Sequence, residues 1–554
     1  MKEKILKNRN LIDVAIIILV AIILGIPLLN SNTDIYHDDG IQHIARAYGT
    51  FLNMQKNDGI QNIISSFSNN FGYSWNLFYG PISCFGIIGI NFITNNFLIA
   101  YKFFTIVCLM LSGYFMYKFI SNFSRNNNVA LLSGILYMTF PYHLTDLYIR
   151  NALGEFTSFV FIPLVFLGLY NLFYTTENHY YITIGAVGLI LTHNISTIIV
   201  AFFALLYFVV NLPKIEETRV KKGLTFNVIF ILLITSFFWI PFLEAQIVSR
   251  YQVYESGMMA TSESVANHGL NITQLFVTKN DGSFVFELGP HMIIMLAFSL
   301  MAFRKMKPEL KETYGFFLIS GLLTLWMSTK YFPWKILPQE LSFIQFPWRM
   351  LMMSAFFLSI VAALNMYILI KNFKFKDVAI ISAISLCYIA FFVKFIPYSE
   401  NVVNISECEL GKISGREIEV SAGLGKEEYL PVNAYNNRFY IATRSDNIEI
   451  IEGKGVVNNE VKNGTHYTAQ LQVLEADYAI FELPYIYYPG YEVRIDGMIT
   501  NSFETPNGFV GFVMLKDDYG DLEVNYTGTN AMKISRMITI LSSIIFAIYV
   551  LKKH

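Results

Sequence analysis

The string Tyr36-His37-Asp38-Asp39 places two adjacent carboxylates and an imidazole a few residues beyond an apolar run. Such a set can accept a proton, and its oxygens also suit a hard cation. The preceding run, LIDVAIIILVAIILGIPLLN at 11–30, is long enough to cross a hydrocarbon core of ~30 Å as a helix. Proton or metal chemistry on a membrane-bound substrate is therefore the first expectation.

Three other clusters join this one. Pro141-Tyr-His-Leu-Thr-Asp-Leu-Tyr-Ile-Arg150-Asn-Ala-Leu-Gly-Glu155 opens with a proline suited to a first helical turn. Helical spacing puts His143, Asp146 and Arg150 on one face. An Asp–Arg pair there could simply fix a loop. Alternatively Arg150 holds an anionic headgroup, because a guanidinium matches phosphate oxygens with two parallel hydrogen bonds. His193-Asn194 interrupts a long apolar stretch, and an ionisable group at membrane depth is costly enough to suggest function. Glu340-Leu-Ser-Phe-Ile-Gln345-Phe-Pro-Trp348-Arg349 precedes another apolar run. Trp348 suits an interfacial anchor there, while Gln345 and Arg349 are more specific.

The elements that position these residues are mostly membrane helices. Of 554 residues 54% are hydrophobic and only 15% charged, against about 25% charged in soluble domains. The net charge of −1 offers no basic field for nucleic acid. Four cysteines (84, 108, 387 and 408) show no CxxC spacing, so neither a zinc site nor a redox pair is indicated. The first run lacks a small-x-small cleavage site and reads as a retained helix. Further spans are expected near 98–119, 129–146, 154–173, 180–193, 195–212, 224–243, 290–303, 314–329, 347–370, 377–395 and 533–550. That makes about twelve transmembrane helices, or eleven if 180–212 holds one span with a re-entrant break. Lys and Arg concentrate in alternate loops: 118 and 125, 214–222, 304–311, 371–376 and 552–553. Positive-inside bias then puts both termini in the cytoplasm.

Residues 39–56 form an amphipathic pattern. Asp39, Gln42, His43 and Arg46 share one face, opposite Ile41, Ile44, Ala45, Tyr48, Phe51 and Leu52. This is the pattern of an interfacial helix with a wet face. Residues 396–532 differ in kind, with short alternating runs such as Arg438-Phe-Tyr-Ile-Ala-Thr and Ala479-Ile-Phe-Glu-Leu. Asn463-Gly464, Asp496-Gly497 and Asn507-Gly508 supply turns. They predict a β-sandwich outside the cytoplasm, tethered by the last helix. The expected divisions are 1–395, with an outer loop 31–97, then 396–532 and 533–554. The loop 244–289, with Tyr251, Tyr254, Glu255 and Asn280-Asp-Gly282, is long enough for a lid or a packed Ω-like loop. Tyr487, Tyr488 and Tyr491 suit either glycan stacking or the sandwich core.

On this topology all four polar clusters lie on the outer face, whereas the inner loops carry mostly plain Lys and Arg. One rich face suggests an enzyme acting at the outer leaflet; a transporter would more naturally place polar residues near mid-membrane.

The arrangement resembles the GT-C superfamily of membrane glycosyltransferases: carboxylates in the first outer loop, an interfacial helix, many spans and a C-terminal outer domain. The strings His37-Asp-Asp-Gly-Ile-Gln-His43, Arg150-Asn-Ala-Leu-Gly-Glu155, Leu191-Thr-His-Asn194 and Ile344-Gln-Phe-Pro-Trp-Arg349 resemble bacterial membrane proteins labelled 6-pyruvoyl-tetrahydropterin synthase-related. The string Tyr487-Tyr-Pro-Gly-Tyr-Glu-Val-Arg-Ile-Asp-Gly497 is similar to YfhO-like membrane proteins. The pterin label adds nothing, since neither a soluble synthase domain nor a zinc triad is evident.

The resemblance implies inverting transfer of a sugar from a polyprenyl-phosphate donor to a cell-envelope glycan or polymer, outside a bacterial plasma membrane. Asp38 or Asp39 is then the expected base. Arg150 and Arg349 are the phosphate candidates, with His193, Arg46, His43, Glu155 and Gln345 as further donor-binding residues. No cofactor is required, although His37, Asp38 and Asp39 could hold a divalent cation. A flippase or exporter of lipid-linked sugars, or a non-catalytic envelope scaffold, are the competing classes.

Overall fold

Local signals set the ends of the long helices. In this computed structural model the described residues are 2–29, 33–35, 39–56, 59, 61–175, 177–255, 261–277, 284–399, 402–404, 427–474, 476–516 and 518–553. Helix α1 (Lys2–Gly25) stops two residues before Pro27, whose ring cannot continue a helix. Helix α2 is Gly40–Gln55 and α3 is Ile82–Thr94. Asn96 caps α4 (Phe97–Ser124) by accepting from Ile99 N–H. Asn126 caps α5 (Asn127–Met138) in the same way. A Cβ on Gly134 would lie 2.8 Å from Gly113 O, so the two small residues let α4 and α5 cross closely.

Helix α6 (Pro141–Tyr148) turns into α7 (Leu153–Tyr170), and α8 (Tyr181–Ile190) is followed by α9 (Asn194–Val210). The expected span 224–243 is instead two helices, α10 (Thr218–Ile234) and α11 (Ser236–Val248), bent by 64°. Later come α12 (Leu351–Ile370) and α13 (Asn530–Lys553).

Among the described residues five helices are long and apolar enough to cross a membrane, or six counting the bent pair as one span. Four shorter apolar helices accompany them: α3, α8, α9 and Val378–Cys387. The twelve expected full-length spans thus become fewer long helices plus short and broken ones. Apolar runs measure composition, but helix length is set by the polar breaks within them. Burial separates centre from edge. The α7 span is 89% buried and the α12 span 78%, whereas the α1 and α13 spans are 33% and 17% buried. The apolar surface of α1 and α13 therefore faces outward, as lipid-facing helices require.

The C-terminal region holds two antiparallel sheets. One orders Glu449–Glu452, Tyr478–Ile486, Phe509–Leu515 and Ser502–Glu504. The other orders Gly455–Asn463, His466–Val473, Tyr519–Tyr526, Tyr491–Ile495 and Met498–Thr500. Asn463-Gly464 and Asp496-Gly497 connect adjacent strands, with positive φ at both glycines and at Asp496. The run expected as a strand from Arg438 is a helix, Arg438–Thr443. Six residues fit either period, and here one helical turn buries Ile441 and carries Tyr440 to Glu482.

The sheets do not form a core by themselves. Phe67, Phe71, Tyr73, Trp75 and Phe78 of the loop 31–97 share one apolar cluster with Phe481, Tyr485, Phe509 and Phe512. Ile486 N–H donates to Phe71 O at 2.9 Å. Thr33–Ile35 also pairs antiparallel with Val402–Asn404, clipping the loop to the start of the sheet region. Tyr488 and Tyr491 are buried in this core, with Tyr487 half-buried. Tyr251, proposed for a lid, is fully buried and stacks on Tyr488, while Glu255 pairs with Arg250. The segment 249–255 is thus packed; Asn280, Asp281 and Gly282 lie outside the described residues.

Candidate functional site

The corner between α6 and α7 carries the densest buried charge. Pro141 starts α6, which ends at Tyr148 rather than running through Arg150. Ile149 and Arg150 N–H both donate to Thr145 O, and Asn151 takes a left-handed φ of 46°. Arg150 therefore leaves the helix and does not share a face with His143. That ring instead stacks on Phe159 and meets Tyr137 O.

The Arg150 side chain folds back on its own corner. Its Nη1 donates to Asp146 at 2.6 Å, to Tyr142 Oη at 3.0 Å and to Glu155 Oε2 at 3.1 Å. Glu155 stands in the first turn of α7, where the helix dipole favours a carboxylate. Tyr142 Oη donates to the other Glu155 oxygen at 2.7 Å.

Arg349 reaches the same carboxylate oxygen, its Nε 3.4 Å from Glu155 Oε2. Its Nη1 donates to Ile344 O and to Gln345 Oε1, each at 3.0 Å. Gln345 has φ +61°, a left-handed geometry unusual for a non-glycine residue. Arg349 Nε and Asp146 Oδ2 are buried with no hydrogen-bond partner among the described residues. Buried polar atoms seldom stay unsatisfied without a reason.

Asp39 closes this group. Its backbone N–H donates to Arg150 O at 3.1 Å, and it occupies the N-cap of α2 without a side-chain capping bond. Burial disfavours charge on Arg150, but Tyr142, Glu155, Asp146 and Asp39 outweigh it and hold the guanidinium protonated. His193 caps α9 through Ser196 and lies in electrostatic reach of Arg349, Glu155 and Arg150. The structure thus brings together Asp39, Arg150, Glu155, His193, Gln345 and Arg349 from four separate stretches of chain. His37 and Asp38 lie outside the described residues. Asp39 alone of the three metal candidates is described, and no group of three His, Cys, Asp or Glu among the described residues could hold a metal ion.

Two expectations need correction. The α2 face predicted to be wet is covered: Arg46 is 1% exposed and His43 7%. All three guanidinium nitrogens of Arg46 are committed, Nε to Asn76 Oδ1 at 2.9 Å, Nη1 to Gly80 O at 3.1 Å and Nη2 to Tyr79 O at 2.9 Å. Arg46 therefore turns one N–H of each nitrogen to the 76–80 turn, where donors open to a phosphate were expected. A helical wheel sorts faces but does not reveal what packs on them. Here segment 75–80 and α3 do so. His43 lies beside Tyr79, and burial, with Arg46 and His193, lowers its pKa to about 3, so it is neutral near pH 7.

Tyr79 and Tyr142 escaped the sequence reading. Tyr79 sits between the rings of His43 and His193, at 5.6 and 6.0 Å. Burial and Asp39 raise its pKa, while Arg46 opposes them, and the phenol stays protonated. Two glycines mark its place. A Cβ on Gly80 would lie 2.4 Å from Leu191 O, and one on Gly154 would lie 2.1 Å from Tyr79 Oη. Gly154 stands inside the Arg150–Glu155 string, so the signal was present but uninterpretable without the partner.

The family model for the 6-pyruvoyl-tetrahydropterin synthase related domain, described as a membrane protein, matches residues 77–402. The chain belongs to this family. The match covers more than half of the sequence and includes Arg150, Glu155, His193 and Arg349; Asp39 precedes it. As a member of the 6-pyruvoyl-tetrahydropterin synthase related family, the chain also matches an uncharacterized protein of Lactococcus lactis subsp. cremoris (strain MG1363). The two are 25% identical over 349 residues, 59% of this chain and 55% of that protein. The chain thus spans just over half the length of that relative. Two solved structures are similar at a low level. Arabinofuranosyltransferase AftD from Mycobacteria has 12% identity and a TM-score of 0.43, over 69% of this chain and 27% of that one. The Archaeoglobus fulgidus oligosaccharyltransferase has 11% identity and a TM-score of 0.36, over 78% and 58%. Both scores are too low to establish a shared fold.

Proposed function

We propose that the protein is a GT-C-type membrane glycosyltransferase whose long, short and broken helices together make about twelve membrane passes, with an outer β-sandwich. It moves a sugar from a polyprenyl-phosphate donor to a cell-envelope acceptor on the outer side of a bacterial plasma membrane. The observation that carries the reading is the Asp39–Arg150 backbone bond at 3.1 Å. It brings Asp39 to the corner that holds two buried arginines, which supports the pairing of base and cation that transfer from a lipid phosphate needs.

The acceptor hydroxyl oxygen attacks the anomeric carbon in line, and the configuration inverts. Asp38 or Asp39 takes the hydroxyl proton. The bond from the anomeric carbon to the phosphate oxygen breaks, and its electron pair leaves with the polyprenyl phosphate. Arg349, whose Nε faces Glu155 Oε2 at 3.4 Å without hydrogen-bonding it, is the cation we assign to a phosphate oxygen. Arg150 supports it, His193 and Gln345 shape the donor side, and Glu155 holds both guanidinium groups in position. His43 supports the site through Tyr79. A divalent cation on His37, Asp38 and Asp39 remains an addition that no step above requires. Glycosyl transfer insensitive to chelation would exclude it.

Asp38→Asn and Asp39→Asn are expected to insert and fold normally. Each should lower transfer to cell-envelope glycan, and at the base by about 10²–10⁴-fold. Undiminished glycan with both replaced would end the catalytic reading. A second reading has its own observation: Arg150 and Arg349 are both already paired with Glu155, as in a self-contained structural network. A scaffold of that kind would bind no polyprenyl-phosphate sugar, whereas an exporter would move it across vesicles chemically unchanged. Assaying purified protein for product formation and for lipid movement separates the three.

A further inference from the structure

A second charged site lies far from this corner in the chain, among α8, α10 and α13. A cavity of about 310 Å³ is lined by Leu172, His179, Arg219, Lys222, Gly223, Phe226 and Tyr549. Its volume is at the lower end of the roughly 300–1,000 Å³ typical of small-ligand pockets. Arg219 and Lys222 stand in the opening turns of α10 together with Lys221. The dipole of a helix repels cations at this end, and that first turn has no acidic residue. Arg219 pairs with Glu217 just outside the helix, while Lys222 makes no ion pair among the described residues. Lys222, at the end of the helix where the dipole disfavours a cation, is a charge that a bound anion would stabilise.

Hydrogen bonds behind the lining fix how His179 presents its ring. Asn227 Oδ1 accepts from Thr183 at 2.7 Å, which turns its Nδ2 toward Gly223 O at 2.7 Å and His179 Nδ1 at 3.0 Å. With Nδ1 accepting, the proton of neutral His179 is on Nε2. Burial and the charge of Lys553 lower the pKa of this imidazole and favour that neutral form. The walls are apolar: Phe226 and Tyr549 lie 4.4 Å apart. Beyond them α10 and α13 expose Ile229, Leu232, Ile545 and Ile548. Exposed cations, an imidazole N–H, aromatic lining and an apolar exterior fit a headgroup whose acyl chains continue along the helices.

We infer that this cavity binds the phosphate of an anionic phospholipid from the inner leaflet. The basic loops that line it are those that positive-inside bias assigns to the cytoplasm. The test uses the full-length purified protein in nanodiscs of phosphatidylcholine, with and without phosphatidylglycerol. Bound lipid is counted by native mass spectrometry and stability is read by thermal melting. Phosphatidylglycerol should raise the melting temperature and leave one lipid per chain. Lys222→Gln, an exposed position, should weaken retention roughly fivefold, and adding Arg219→Gln should weaken it roughly fivefold again. Lys305→Gln with Lys307→Gln, on another basic loop, should change nothing. Equal loss in that control, or full retention in the double variant, would overturn the site. Stabilisation by millimolar inorganic phosphate in phosphatidylcholine alone would reassign it to a free anion and overturn the lipid reading.

Discussion

Glu155 shows how much one side chain carries at this site. It is buried and faces Arg150, Arg349 and Tyr142 together. Removing one partner of a buried ion pair typically costs about 3–5 kcal/mol, because the remaining charge loses its compensation. Glu155→Gln should destabilise the protein by that order, measured as denaturant or thermal unfolding in detergent, and unchanged stability would show that the arginines repair with other groups. His43 gives a pH signature. Its folded pKa of about 3 lies below the 6.5 of an exposed histidine, so the unfolded state binds more protons across this interval. The His43 contribution is complete above pH 6.5 and is lost as pH falls toward 3. The stability difference between wild type and His43→Gln should therefore shrink on acidification through that window, and a flat difference would contradict a buried neutral imidazole.

Elements decide which of these residues meet. The Asp146–Arg150 pair was legible in the sequence because the two residues are four apart, whereas the end of α6 before Arg150 was not. The burial of Arg46 was not, since its partners Asn76, Tyr79 and Gly80 lie on a turn with no periodic signal. The strand-like run at Arg438 failed for another reason, as six residues are too few to separate the two periods. The break after α8 illustrates what a polar interruption does: Thr192-His193-Asn194 ends one short helix and caps the next, and Gly80 packs against it. Gly154 is the tightest such contact at the site. Gly154→Ala should displace the Tyr79 ring and cost about 1–3 kcal/mol in overpacking, with a larger fall in transfer activity than in stability. Melting curves and turnover measured on the same preparation would check this, and wild-type turnover would remove Tyr79 from the site.

The whole molecule couples the sheet region to the helices through one apolar cluster. Phe71 makes the link: it meets the Phe509 ring edge-on at 5.4 Å and receives the hydrogen bond from Ile486. Loss of a buried phenylalanine costs about 3–5 kcal/mol. Phe71→Ala should make the loop 61–80 and the sheets at 449–526 protease-sensitive together. Cleavage of one without the other would mean that the two fold as separate units. Composition and alternation made the division into helical and sheet parts readable, whereas this shared core joins residues hundreds of positions apart and leaves no local trace.

The pairing of Thr33–Ile35 with Val402–Asn404 has a consequence for biosynthesis. The later strand leaves the ribosome about 370 residues after the earlier one, roughly 20–70 s at 5–20 residues per second. Throughout that interval the segment bearing Asp38 and Asp39 is already translated while its β-partner does not yet exist. A nascent chain halted before residue 402 can thus hold every helix from α1 to α12 and still lack the clip on Thr33–Ile35, so this tie between the first loop and the sheet region arrives late in synthesis, after most of the membrane part has been made.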